Sequence, residues 1–443
     1  MIAVRSLGRG LTAAAFLALA ALPLSAATDI EEVTSPGGIK AWLVQEHSIP
    51  IISLDISFAG GTALDPEGKS GAGNLAMALL EEGAGERDAV AFSRAADAIG
   101  AQFGFSAGTD SATVSASMLS ENRDASVALL HDALTAPRFD EEAVERVRAQ
   151  VLSGLRSDET DPQSIASKAF RELVFPDDPY GRSSDGTIDS VTALTAADLS
   201  AAHQAMLVRS RARIGVVGDI TPEQLGEMLD TLFEGLPQDG PALPGHVEPS
   251  LTGGTTVQEF DTPQSVVVFA QKGIDRHDPD FFPAYVLNHI LGGGGFSSRL
   301  TEEVREKRGL TYGVYSYLAG YDRTELWMGG VASANDRVGQ AIEVIKAEWA
   351  RMAEGGVTDQ ELEDAKTYLT GAYPLRFDSN SKIADILVGV QEEGLGIDYT
   401  EKRNDYVNAV TKEDIARVAK RLMTPDGLRF VVVGKPEGVT ASN

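Results

Sequence analysis

The chain has 443 residues, 43% of them hydrophobic, which is length enough for two or more domains with separate cores. Its formal charge of −27 argues against nucleic acid and against an anionic membrane face as partners. That charge suits a soluble protein and serves either a cationic peptide substrate or solubility alone.

Arg5 and Arg9 precede an apolar run from Leu11 to Leu22, and Pro23 to Ala27 supplies small residues suited to cleavage after Ala27. Residues 1–27 therefore read as a cleavable signal peptide, because the apolar run is too short to cross a bilayer. No later segment is long enough for a membrane span. The expected location is the periplasm. With no cysteine in the sequence, an exported chain must rest on its hydrophobic cores rather than on disulfides.

Ile51 to Phe58 alternates like a half-buried strand. Ser70 to Gly83 then reads as a helix that enters from a glycine-rich turn and stops at a glycine, with Asn74, Met77 and Ala78 along it. Gly68-Lys69-Ser70 just before it is not a phosphate loop, because Ala63 stands where the first glycine is required. Gln102 to Ser117 has the pattern of a hairpin. Gly104-Phe-Ser106-Ala-Gly108 spells a nucleophile elbow, but a hairpin is not the strand–turn–helix setting that motif needs. Glu121–Ala136, Glu141–Ser157 and Gln163–Leu173 have helical periodicity.

The sequence then repeats itself. Thr195, with Asp198 three residues on, opens a helix that is followed by the apolar strand Ile214–Gly218. Thr411 with Asp414 does the same before Phe430–Gly434, at the same spacing. Two homologous domains are expected, residues 28–240 and 255–443. Residues 241–254 join them, continuing a Pro- and Gly-rich stretch that begins at Leu236. The second half offers a strand at Ser265–Gln271, a helix from Asp278 to Leu291, strands near Tyr312–Leu318 and Glu325–Val331, and helices from Val338 and Asp359. The class is α+β: in each domain an antiparallel sheet packed with helices.

Between helix and strand, Leu291-Gly-Gly-Gly-Gly-Phe-Ser-Ser-Arg-Leu300 leads into Glu302-Glu-Val-Arg305-Glu-Lys-Arg-Gly-Leu-Thr-Tyr312-Gly. Guanidinium and phenol are both donors able to hold a peptide carbonyl and a developing oxyanion. The tetraglycine Gly292, Gly293, Gly294 and Gly295 can serve as a helix stop. The six histidines, His47, His131, His203, His246, His277 and His289, include no pair one helical turn apart, so no helix can offer two imidazoles to zinc.

The run from 285 to 320 closely resembles the C-terminal-domain signature of the insulinase, pitrilysin and mitochondrial-processing-peptidase family of zinc peptidases, in its short bacterial form. Residues 70–83 resemble that family's zinc helix. The resemblance implies two facing α+β domains that form half of a clamshell. It also implies that Arg305 and Tyr312 match the pair that reaches substrate beside the zinc. It implies a substrate-handling loop at the glycine run Gly292–Gly295, whose flexibility fits that role equally well. The family writes His-x-x-Glu-His where this chain has Asn74, Met77 and Ala78, and places a further glutamate ligand where it has Gly154. The metal expectation is therefore none in this chain and zinc in a partner. The resemblance then implies a subunit without zinc that pairs with a homologous zinc-bearing chain, or with itself when alone. Arg305 and Tyr312 would complete the partner's site for hydrolysing peptides. The alternative is a non-catalytic peptide-binding or scaffold protein of the same fold.

Overall fold

The structure, a computed structural model, describes residues 29–442; the signal peptide expected over 1–27 lies outside them. In chain order the first half forms β1 (Glu31–Thr34), β2 (Lys40–Gln45), β3 (Ile51–Ala59), α1 (Ala72–Ala78), β4 (Gly83–Ala84), β5 (Arg87–Asp88), α2 (Ala89–Ile99), β6 (Gln102–Ala107) and β7 (Ser111–Leu119). It continues with α3 (Arg123–Thr135), α4 (Glu141–Asp158), α5 (Pro162–Val174), α6 (Ile188–Ala193), α7 (Ala196–Met206), β8 (Ala212–Gly218) and α8 (Pro222–Phe233). The second half forms β9 (Gly254–Glu259), β10 (Gln264–Lys272), α9 (Phe281–Asn288), β11 (Val314–Tyr321), β12 (Thr324–Ala334), α10 (Val338–Gly355) and α11 (Asp359–Ala372). It ends with α12 (Asn380–Glu392), α13 (Tyr399–Ala409), α14 (Lys412–Leu422) and β13 (Arg429–Gly434).

The first sheet runs β1-β2-β8-β3-β7-β6 and the second β11-β12-β10-β13-β9. Taken from its other edge, the second sheet repeats the first strand for strand, with β1 as the one addition. Both are antiparallel except for one pair each: β2 runs parallel to β8, and β9 to β13. A parallel pair needs a long crossover, and here nearly a whole domain intervenes between its two strands. Thr195 and Thr411 cap α7 and α14 reciprocally: each hydroxyl accepts from the Asp amide, and each Asp carboxylate accepts from the Thr amide, at 2.9 and 3.0 Å.

In the central strands both faces are covered, and alternation decides which residues enter which core. In β3, Ile52, Leu54, Ile56 and Phe58 are fully buried and join Val114, Leu130, Leu229 and Phe233 in the first core. The second core centres on Phe269, Trp327, Trp349 and Phe430. Each half then lends one helix to the other. α5 covers the far face of the second sheet, with Ala166, Phe170 and Val174 against Val268, Met328 and Val431. α12 covers the far face of the first sheet, with Ala384, Leu387 and Val390 against Trp42, Val44 and Val217. α12 approaches so closely that a Cβ on Gly215 would meet the Ala384 carbonyl oxygen at 2.4 Å.

The tips of the two edge hairpins also meet. The Tyr180 hydroxyl donates to Asp110 at 2.7 Å, between β6 and β7, and accepts from the Arg323 amide at 3.1 Å, between β11 and β12. The Arg323 guanidinium closes a two-pronged pair with Asp178 at 2.9 and 2.5 Å. Among the described residues, no helix is long and apolar enough to cross a membrane.

Candidate functional site

The expected helix over 278–291 becomes α9 followed by a π-helical turn, His289–Gly293. The extra residue in such a turn marks places where a helix is bent to a purpose. Here Asn288 anchors it. Its buried side-chain oxygen accepts from the Ser316 hydroxyl of β11 at 2.8 Å and from the Trp327 indole of β12 at 2.9 Å. The four glycines are not equivalent. A Cβ on Gly292 would strike the Ser316 hydroxyl oxygen at 2.4 Å and amide nitrogen at 2.7 Å, whereas Gly295 has φ +59 and open space around it. The run is thus packed at its start and free only at its end, where Phe296 stands 77% exposed.

Beyond the loop, Arg299 donates to both oxygens of Glu361 at 2.6 and 2.8 Å and to the Gly356 carbonyl, tying this segment to α11. A second π-helical turn, Thr301–Glu306, carries Arg305. Buried Glu303 holds it from within, accepting from Lys307 at 2.7 Å and Arg308 at 2.6 Å. Those two hydrogen bonds bring its carboxyl down to about 2, so it stays an anion and a fixed anchor. The Arg305 guanidinium carbon lies 4.7 Å from the centre of the Phe296 ring, which connects the glycine loop to the arginine by a cation–π contact.

Tyr312 was expected in a strand; it precedes β11 in a stapled turn. The Thr311 hydroxyl donates to the Ala332 carbonyl at 2.6 Å, with the Gly313 carbonyl 2.9 Å away sharing the same proton, and accepts from the Gly313 amide. The Ser333 hydroxyl holds the Leu310 carbonyl from the other side at 2.5 Å. Tyr312 itself is 86% exposed. Arg305 and Tyr312 line one cleft of about 570 Å³, together with Gln264, Glu306, Thr311 and Arg337. The structure therefore brings together the arginine and tyrosine that the sequence singled out, and ties the glycine loop to them through Phe296.

The positions of the family's zinc motif are built for other work. The Asn74 amide donates to the Asp185 carboxylate at 2.8 Å. Met77 is fully buried in the first core, and Ala78 packs against the cluster where Leu75 of α1 and Leu79 just after it meet Val144 and Val147 of α4. Gly154 has nothing within 4 Å of where a Cβ would stand. An amide, a thioether, a methyl group and a bare backbone do not make a zinc donor set, so these residues do not fit the metal. Among the described residues, no group of three or more His, Asp or Glu side chains is placed to hold a metal ion. His203 in α7 is buried and bonded to the Leu134 carbonyl at 3.0 Å; burial brings its imidazole down to about 4, so it is a neutral structural residue. α1 is also shorter than expected, ending at Ala78 before the chain turns toward β4. Ser106 of the false nucleophile motif lies in β6, paired with Thr113 of the hairpin.

Sequence reasoning missed Asn288, Arg299 and Glu303. Arg299 and Glu303 lie inside the quoted signature, but nothing in their spacing separates an anchor from a ligand-facing residue.

Residues 41–187 match the family model described as insulinase (peptidase family M16), and residues 193–369 match the one described as peptidase M16 inactive domain. The chain is similar to the non-peptidase homolog YmxG of Helicobacter pylori, 25% identical over 399 residues that cover 88% of this chain and 90% of that protein. It is similar to an uncharacterized zinc protease of Streptomyces coelicolor, 27% identical over 405 residues, 89% of this chain and 87% of that one. The crystal structure of a peptidase M16 inactive domain from Pseudomonas fluorescens is similar with a TM-score of 0.86 at 29% identity, covering 94% of this chain and 100% of that one.

Proposed function

Because the chain belongs to the insulinase family, peptidase family M16, we propose that it is the subunit without zinc of an exported, periplasmic peptidase. Its halves, 28–240 and 255–443, would face a homologous zinc-bearing chain, with Arg305 and Tyr312 reaching that chain's site. The metal chemistry would be the partner's; this chain would hold and orient the peptide. The observation that carries the reading is Tyr312, a large aromatic kept 86% exposed on a turn stapled at Thr311, in the same cleft as Arg305. The backbone that bears it is fixed by that staple, so less of the chain has to be ordered when a ligand is met. The phenol and guanidinium would donate to a peptide carbonyl and to the charge that develops on it. The open end of the glycine loop, around Gly295 and Phe296, would close over the peptide.

The test is Tyr312→Phe in a complex with a co-encoded zinc-bearing relative. Turnover of a mixed peptide pool should fall about tenfold to a hundredfold, while co-purification of the two chains is unchanged. Unchanged turnover rejects the role. The second reading, a peptide-binding or scaffold protein with no part in catalysis, is favoured by the relative from Helicobacter pylori named a non-peptidase homolog. It predicts peptide binding that survives Tyr312→Phe and no partner whose activity depends on this chain.

A further inference from the structure

The cleft has a charge that the rest of the molecule does not share. In a chain of net −27, its lining holds two arginines, Arg305 and Arg337, against one carboxylate, Glu306. Arg305 makes only a long contact with that neighbouring glutamate, 3.4 Å from Nε to carboxylate. Arg337 is exposed; Nη1 donates once, at 3.3 Å, to the Gly309 carbonyl, and its remaining N–H groups have no carboxylate partner among the described residues. Of the other arginines of this half, Arg299, Arg308, Arg417 and Arg421 are paired with the carboxylates of Glu361, Glu303 and Asp280, and buried Arg403 and Arg429 are engaged with neutral groups of the fold. The Gln264 amide and the Tyr312 hydroxyl add uncharged donors to the same lining.

The geometry points to a carboxylate subsite: we propose that Arg337, beside Arg305, receives a carboxylate of the bound peptide, either its C-terminus or an acidic side chain. This rests on the reading that peptides bind at Arg305 and Tyr312, and extends it from backbone holding to a preference. Guanidinium groups are suited to it because their N–H pairs match the two carboxylate oxygens. The surrounding acidic surface repels such a ligand from other places, so the preference is local. A volume of about 570 Å³ accommodates a short stretch of peptide.

The test uses the full mature chain and fluorescein-labelled pentapeptides of one sequence: one ending in Glu with a free C-terminus, its C-terminal amide, its Gln counterpart, and the amide of the Gln peptide. Anisotropy titrations at low salt should show the Glu free acid binding about fivefold to tenfold tighter than the uncharged Gln amide. The two intermediate peptides show which carboxylate is read. Arg337→Gln should abolish the difference between the Glu free acid and the Gln amide. Equal binding of all four peptides to the wild-type chain overturns the subsite and leaves the Tyr312 reading to its own turnover test. An acid preference that survives Arg337→Gln also overturns it. The comparison on the wild-type chain needs no variant to fold.

Discussion

Asp55 lies in the middle of β3, on the face that α12 covers. Burial pushes its carboxyl up to about 7, and the Asp385 carboxylate on α12 pushes in the same direction. Its neighbours across the ladder, Ser115 of β7 and Gly215 of β8, carry no charge to offset either effect. The Glu392 carboxylate of α12 is engaged close by with the Ser57 hydroxyl. The folded chain therefore holds the Asp55 proton more tightly than the unfolded chain, whose carboxyl titrates near 3.8. The resulting stabilisation is full below the unfolded value, declines as pH rises, and is lost once pH passes about 7. Asp55→Asn keeps the shape and cannot ionise. A shift of this size corresponds to about 4 kcal/mol, which partial exposure and solvent screening reduce to about 2 kcal/mol. The variant should match the wild type near pH 4 and exceed it by about 2 kcal/mol at pH 8. Urea denaturation from pH 4.5 to 8, followed by the fluorescence of the three tryptophans, of which Trp42 lies in the same layer, reads the difference. Asp385→Asn should give a smaller change of the same sign, since it removes only the second cause. A difference between wild type and Asp55→Asn that is the same at pH 5 and pH 8 refutes the reasoning. So does an Asp385→Asn curve that parallels the wild type, because Asp385 reaches Asp55 only through the exchange of α12 onto the first sheet.

Asn288→Leu leaves the Ser316 hydroxyl and the Trp327 indole without an acceptor in a buried place, at a cost of about 2–4 kcal/mol. Urea denaturation measures it, and a loss below about 1 kcal/mol means the π-helical turn is anchored elsewhere. Asn74→His with Ala78→His and Gly154→Glu restores three zinc donors, the first two one helical turn apart and the third in open space. Metal analysis after dialysis should find about one zinc per triple-variant chain and none in the wild type. Zinc bound equally by the wild type would overturn the reading of the donor set. Adding Met77→Glu should then cost about 3 kcal/mol or more in the apo protein, because that side chain lies in the core.

Much of this fold is readable in the sequence, and the exceptions have a common physical cause. β7 announces itself because Ala112, Val114, Ala116 and Met118 alternate with half-exposed residues. α7 and α14 announce themselves because a Thr and an Asp three residues apart satisfy each other's amides. These are local signals. The exchange of α5 and α12 is not local: α5 reads as an ordinary helix, α12 is not among the elements read from the sequence, and nothing in Ile383–Val390 says which sheet its apolar face will meet. The two π-helical turns are equally silent, since an extra residue in a turn leaves the composition unchanged. At the site, Arg305 and Tyr312 could be picked out only within a signature. Asn288 could not, because its role depends on a serine and a tryptophan that the topology brings to it from two different strands.

The two halves of the molecule treat their resembling motifs in opposite ways, and the energetic direction is different in each. In the first half three of the four motif positions contribute to folding: Met77 adds apolar burial, Ala78 fills a helix–helix contact, and Asn74 holds a turn through Asp185. The fourth, Gly154, stands in open space inside α4 and adds no contact. In the second half the corresponding freedom has not been used. Phe296 and Tyr312 remain exposed and Arg337 has no carboxylate partner among the described residues; two π-helical turns, a packed glycine run and the Thr311 staple fix the segment that carries the two aromatics. Exposed aromatics and an unpaired guanidinium do nothing for the stability of the lone chain, yet Asn288, Arg299 and Glu303 are committed to positioning the segment that bears them. A fold kept only as a scaffold would have no physical reason to order that segment so firmly. The asymmetry supports the reading proposed above, in which the chain holds a peptide and leaves the metal to a partner.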